Sequence, residues 1–160
     1  MTALEKTAEA LQSRGFAVSC CDTAEQAART IAGSLSGQTV GFGGSVTLEQ
    51  LGLYDLLARA AGAQVYLTSA NAIAETGEIV NIDGTGNRLA AMLYGHERLV
   101  IVAGVNKLAP DLERAVFRAR NIAAPKNARR LHRETPCALT IRPAATTAGR
   151  PSGSAGGSAF

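Results

Sequence analysis

The sequence predicts an α/β fold in three layers: a mostly parallel sheet with helices on both faces. Three observations carry that expectation. Segments with apolar residues at helical spacing alternate with short, wholly apolar runs at 39–42, 65–67 and 99–103. Strands that are apolar on both sides belong to sheets covered on both sides. The runs lead straight into loops of small or polar residues: Gly43-Gly44-Ser45, Thr68-Ser69-Ala70-Asn71 and Gly104-Val105-Asn106-Lys107. Finally, 46% of residues are hydrophobic while aromatics are 4% and Trp is absent, so Ala, Val, Leu and Ile must fill the core.

Taken in order, residues 2–14 read as an amphipathic helix, with Leu4, Ala8 and Leu11 on one side and Gly15 as its stop. A short strand is expected at 16–20. Asp22 or Thr23 caps a second helix running to about Ser34, with Ala24, Ala27, Ala28 and Ile31 inward. The strand at 39–42 follows. A helix then begins near Thr47, where Thr47-x-x-Gln50 suits a capping box, and ends at Gly62. The strand at 65–67 opens a segment in which Glu75-Thr76-Gly77-Glu78 is a turn and Ile79, Val80 and Ile82 form another β run. A helix at 87–94 is stopped by Gly95. After the strand at 99–103, Pro110 and Asp111 start a helix to about Ala123, with Leu112, Val116, Ala119 and Ile122 inward. Arg114 and Arg118, four apart, are expected on its exposed face. Pro125 opens a short helix through Leu131, and 138–141 reads as a last strand. Residues 143–160 are almost only Pro, Ala, Thr, Gly and Ser, which bury too little surface to order themselves. The expected division is therefore a folded domain at 1–142 and a disordered tail at 143–160.

Composition removes several function classes. The 160 residues suit one domain. No apolar run approaches the roughly 20 residues that span a bilayer, and residues 1–15 carry charges throughout, unlike a secretory signal. A soluble, cytoplasmic protein with no membrane insertion is expected. The cysteines are Cys20, Cys21 and Cys137. An odd count with an adjacent pair does not make a disulfide framework, and no C-x-x-C occurs. Cys20 and Cys21 are expected to be buried. No metal site, zinc or iron–sulfur, is expected from this chain alone, because such sites need clustered thiolates or imidazoles. His96 and His132 are expected at the surface, without metal partners at useful spacing.

The net charge of +3 is unevenly spread. Residues 1–106 hold six Lys/Arg against ten Asp/Glu, and residues 107–160 hold ten against three. The basic third suits either a solvated helix face or a small anionic ligand. Nucleic acid is not an expected partner, because no stacking aromatics accompany the basic residues.

The candidate site lies where the loops converge. In doubly covered sheets, ligands bind beyond the carboxyl ends of the strands. Gly43, Gly44 and Ser45 follow one strand; Asn71 follows another; Gly84, Gly86, Asn87 and Arg88 stand where a β run meets a helix; Asn106 and Lys107 follow the strand at 99–103. Glycines before a helix turn backbone N–H groups toward an anion, or simply satisfy positive φ. Lys107 and Arg88 are the candidate cations for that anion, against pairing with surface carboxylates. Asp83, a carboxylate at a strand end beside a glycine loop, is the candidate general base; its competing role is to cap the turn. Gly41-x-Gly43 starts like a dinucleotide fingerprint, but the third position is Val46, so no dinucleotide site is assigned.

These blocks together resemble the lactate-utilisation, or LUD, domain family. The matching residues are V-G-F-G-G-S-V-T-L-E-Q-L-G-L (40–53), L-T-S-A-N-A-I (67–73), G-E-I-V-N-I-D-G-T-G-N-R (77–88), V-A-G-V-N-K (102–107), D-L-E-R-A (111–115), R-N-I-A-A-P-K-N-A-R-R-L (120–131) and T-P-C-A (135–138). The resemblance implies a fold like that of the ribose-phosphate isomerase, glucosamine-phosphate deaminase and CoA-transferase group. It implies a bacterial role in oxidising lactate to pyruvate beside iron–sulfur protein subunits. It supplies no catalytic residue. No cofactor held by this chain alone is expected, because its cysteines are too few for an iron–sulfur cluster and its dinucleotide fingerprint is incomplete. Two departures are visible: the segment 58–64 is shorter than relatives carry, and only Cys137 stands where many relatives continue with further cysteines. The alternatives are a non-catalytic interaction or regulatory domain, and an isomerase or transferase acting on a sugar phosphate or acyl-CoA.

Overall fold

A computed structural model describes residues 1–51, 63–133 and 135–136, together with the backbone of 158–159. It is a mixed α/β fold with a mostly parallel sheet and flanking helices. Helix α1 (Ala3–Ser13) opens on a capping box: Glu5 N–H donates to Thr2 Oγ1 at 3.2 Å, and Thr2 N–H to Glu5 Oε2 at 2.7 Å. Gly15, at φ +87°, releases the chain. Helix α2 (Ala24–Ser34) is capped by Thr23 Oγ1, which accepts from Gln26 N–H at 3.1 Å. Between them, residues 16–20 are not the expected strand. Phe16 N–H folds back onto Leu11 O at 3.1 Å, so the segment follows the helix end and finds no sheet neighbour. Cys20 is accordingly exposed and Cys21 half-buried, not buried as expected.

The first sheet has the order β1-β2-β5, from β1 (Val40–Phe42), β2 (Val65–Thr68) and β5 (Arg98–Ile101). All its pairings are parallel, with Val40 opposite Val65 and Val65 opposite Arg98. The central strand is the buried one. From α2 and its end, Ala28, Ile31 and Leu35 cover Val40, Val65 and Leu67, with Leu48 of the short α3 (Val46–Gln50). Leu67 has no exposed surface. Truncating such a side chain to alanine costs about 2–5 kcal/mol.

A second sheet has the order β6-β3-β4-β7, from β3 (Ala72–Ala74), β4 (Ile79–Ile82), β6 (Leu108–Ala109) and β7 (Ser158–Ala159). β3 and β4 form an antiparallel hairpin, β3 and β6 run parallel, and β7 pairs antiparallel with β4. Helix α4 (Asn87–Leu93) follows β4 and buries Leu89. Helix α5 (Leu112–Arg118), the π turn Ala119–Ala123 and α6 (Ala124–Arg130) run on without a break. Ala115 and Ala119 sit on Ala72, Ala74, Val80 and Ala109, so the cluster closes through small side chains. Of the residues expected inward, Val116 and Ala119 pack on this cluster together with Ala115, whereas Leu112 and Ile122 stay 40% and 38% exposed.

The helix expected to end at Gly62, the shortened segment up to residue 62, Cys137, the strand at 138–141 and the boundary at 142 lie outside the described residues. So does the tail, apart from 158–159. Among the described residues no helix is long and apolar enough to cross a membrane.

Candidate functional site

The link between the sheets, Ser69-Ala70-Asn71, is the hub of the site. It leaves the carboxyl end of β2 and enters β3 of the second sheet. Asn71 is held on every side. Its N–H donates to Val80 O at 3.1 Å and to Asn81 Oδ1 at 3.0 Å. Its Oδ1 accepts from Ile82 N–H at 2.9 Å and from Arg88 Nη2 at 2.9 Å. Its carbonyl accepts from Arg118 Nη1. The small polar residues of the motif thus give the neighbouring loops a common set of acceptors.

Three cations converge on this hub. Arg88, from the first turn of α4, also reaches Ile82 O at 2.9 Å and Ser69 O at 3.5 Å. Lys107, at the end of the 3₁₀ turn Val105–Lys107, donates to Thr47 Oγ1 at 2.9 Å and to Ser69 Oγ. Arg118, from the last turn of α5, also donates to Asn106 O at 3.1 Å. All three side chains are half-buried. Among the described residues none of them forms an ion pair with a carboxylate; every acceptor they meet is a neutral hydroxyl, amide or carbonyl.

The cost of gathering like charges falls on the lysine. Burial, then the Arg118 charge, then the Arg88 charge push the Lys107 ammonium down to about 8 from the usual 10.5. Burial also lowers the Arg118 guanidinium. Thr68 Oγ1, at the end of β2, is fully buried and among the described residues has no hydrogen-bond partner. It faces Gly43, where an added Cβ would come within 2.7 Å of it and within 2.6 Å of Tyr66 Oη. The glycine at 43 therefore permits a close approach rather than a positive φ.

The structure brings Arg88, Lys107 and Asn71 together, as the sequence suggests, with Asn106 joining through its carbonyl. Gly43 lies against Thr68, and Gly44 and Ser45 lead to Thr47, which holds Lys107. Ser45 is the N-cap of α3, so the expected capping box at Thr47 is not formed and the Thr47 hydroxyl serves the lysine instead. The turn at 84–87 meets the cluster through Arg88. Gly84 is exposed, Gly86 takes φ +80° to start α4, and Asn87 Oδ1 accepts from Thr85 Oγ1 at 2.7 Å. Asp83 Oδ2 accepts from Arg88 N–H at 2.8 Å, a capping contact.

Arg118 is the residue that sequence reasoning misplaces. It was expected outward beside Arg114, but it turns in to Asn71 and Asn106. Thr47 and Ser69 carry no distinguishing signal beyond their place after strands. His96 is half-buried rather than at the surface. It stacks on Tyr66 with centroids 5.0 Å apart, and its Nδ1 lies 2.7 Å from Ala63 O. Among the described residues no group of three His, Cys, Asp or Glu could hold a metal.

The LUD domain family model matches residues 4–62 and 54–152. The chain belongs to the LUD domain family. The two matched segments overlap at residues 54–62. No curated protein and no solved structure matches the chain. The cation cluster thus sits within the family's own domain, on residues from the blocks at 40–53, 67–73, 77–88 and 102–107, with Arg118 added from α5.

Proposed function

We propose that this LUD domain binds a small carboxylate among Arg88, Lys107 and Arg118, and supports oxidation of lactate to pyruvate together with iron–sulfur partner subunits. One observation carries the reading: three half-buried cations meet at the carboxyl ends of the strands with, among the described residues, no carboxylate in their contacts. Burying like charges together is unfavourable, and an anion repays that cost. In this reading the loops at Gly43, Gly44 and Ser45 and at Gly84, Gly86 and Asn87 border the carboxylate site. Asn71 and Asn106 fix its geometry by anchoring the arginines. Asp83 serves as the base in this reading, with one carboxylate oxygen on Arg88 N–H and the other left for a proton.

Removing two electrons from a 2-hydroxy acid needs an acceptor, and acceptors are cofactors rather than side chains. The electrons therefore leave through a partner. The test has two parts. Lactate, pyruvate and inorganic phosphate are titrated in a thermal-shift assay, where a ligand of the folded state raises the melting temperature. Lactate turnover is then followed with an artificial electron acceptor, with and without candidate iron–sulfur subunits. The expected result is carboxylate binding by the isolated chain and turnover only with the partners. Turnover by the chain alone removes the partner requirement. A shift with phosphate and none with either carboxylate moves the reading to a phosphorylated substrate.

A further inference from the structure

Lys107 is placed for more than holding an anion. Its Nζ is met by two neutral hydroxyls, Thr47 Oγ1 at 2.9 Å and Ser69 Oγ, and by no carboxylate that would fix it as ammonium. The guanidinium of Arg118 reaches the same hub and, among the described residues, donates through Nε and Nη1 alone, which leaves part of its fork uncommitted. An amine beside a guanidinium matches one ligand chemistry closely: a carbonyl adjacent to a carboxylate.

We propose that Lys107 captures the carbonyl of a 2-oxo acid as an imine, with Arg118 holding the adjacent carboxylate. The inference rests on the carboxylate reading of this pocket and adds a covalent step to it. The lysine nitrogen attacks the carbonyl carbon, the C–O π bond opens to a carbinolamine, and loss of water leaves C=N. Both nitrogen hydrogens and the carbonyl oxygen depart as that water, and nothing is oxidised or reduced. The Ser69 and Thr47 hydroxyls, already in contact with Nζ, can pass the proton that dehydration moves.

The step needs a neutral amine, which an ordinary lysine rarely offers. The Lys107 value of about 8, set by burial and the two arginines, leaves roughly a tenth of it neutral at pH 7. Lysines activated by desolvation and a neighbouring cation are the ones used for imine chemistry. The simpler role for Lys107 is a pin that ties α3 to the end of β2. A pin has no reason to react.

The chain offers its own controls, because its three lysines are Lys6, Lys107 and Lys126. Lys6 stands 3.7 Å from Glu75 and Lys126 is exposed. The full chain is incubated with pyruvate and cyanoborohydride, which reduces an imine to a stable secondary amine, and the lysine peptides are mapped by mass. Labelling of Lys107 is expected to exceed that of Lys6 and Lys126 by at least about tenfold. It should rise between pH 6 and 8 and fall when sulfate competes. Lys107→Arg should still give a thermal shift with pyruvate but no adduct at that peptide. Equal labelling of the three lysines overturns the imine. So does a pyruvate thermal shift with no Lys107 adduct, which leaves the carboxylate site standing. Absence of both shift and adduct removes both readings together.

Discussion

Two regions of this molecule use the same residue types to opposite ends. At the β3–β4 turn, each cation meets a carboxylate: Lys6 pairs with Glu75 at 3.7 Å, and Arg14 with Glu78 at 2.8 Å while also donating to Thr76 O at 3.0 Å. These contacts tie α1 to the hairpin. At the hub around Asn71, Arg88, Lys107 and Arg118 meet only neutral acceptors. Within the described residues the first region is electrostatically satisfied, and the second holds positive charge that no carboxylate pairs with. A fold selected only for stability has no use for the second arrangement, since a buried charge without a partner is costly. The contrast separates scaffold from site more sharply than any motif does.

The largest effect should come from removing the central cation. Lys107→Met keeps the unbranched stem, one atom shorter, and deletes its charge. Affinity for the carboxylate should fall between about tenfold and a hundredfold, roughly 1.4–2.8 kcal/mol. The melting temperature without ligand should not fall, because an apolar isostere relieves repulsion from the two arginines. Isothermal titration and a melting curve on the same sample read both halves. A clear drop in melting temperature with unchanged affinity would make the lysine a scaffold residue and erase the contrast.

The converse variant belongs to the hairpin. Gly77 takes φ +93°, and an added Cβ would come within 2.8 Å of Arg14 Nε and 3.0 Å of Ala10 O. Gly77→Ala should therefore cost about 1–3 kcal/mol of stability from left-handed strain and crowding. Urea denaturation gives the loss, and carboxylate affinity measured well below the melting point should stay unchanged.

Much of this division is legible in the sequence, and the exceptions have physical causes. The parallel strands announce themselves because Val65 and Leu67 are apolar runs between loop signals, and β2 is buried on both faces. The turn at 75–78 is readable from Gly77. Residues 16–20 look like a strand because local composition cannot reveal that no sheet neighbour is available. Arg118 is misread for a related reason. The large residues Leu112 and Ile122 suggest a stripe through themselves, whereas the fully buried side chains here are the small Ala115 and Ala119, with Val116 packed beside them. With that face inward, Arg118 reaches Asn71. Convergence on the hub is a long-range property: Lys107 and Thr47 are 60 residues apart, and Arg118 and Asn71 are 47 apart.

The pH dependence of the hub should be opposite in sense for fold and ligand. Lys107 titrates near 8 when folded and near 10.5 when free. Its charge is therefore an unfavourable load on the folded state below about 8, relieved progressively as pH rises toward 10.5. Stability without ligand should gain from this group across that window, and Lys107→Met should lack the gain. Carboxylate affinity should decline over the same window, because the anion loses its central cation. A titration series at constant ionic strength between pH 7 and 10 tests both slopes.

The smallest effect, and the one that closes the comparison, is at Glu78. The Thr76 hydroxyl, ahead of the Arg14 charge, holds its carboxyl below the usual carboxylate value of 4.5. A lowered carboxyl contributes stability above its unfolded value and loses it as pH falls through the folded one. This window is acidic, far from that of Lys107, so the two regions can be titrated separately in one protein. Glu78→Gln should cost no more than the about 0.2–1 kcal/mol of an exposed pair at pH 7. The variant should lose less stability than the parent between pH 5 and 3, and its carboxylate affinity at pH 7 should match the parent's. A change in affinity at pH 7 would mean that the hairpin and the hub are coupled through β3 and Asn71, and the two regions would then have to be treated as one electrostatic unit.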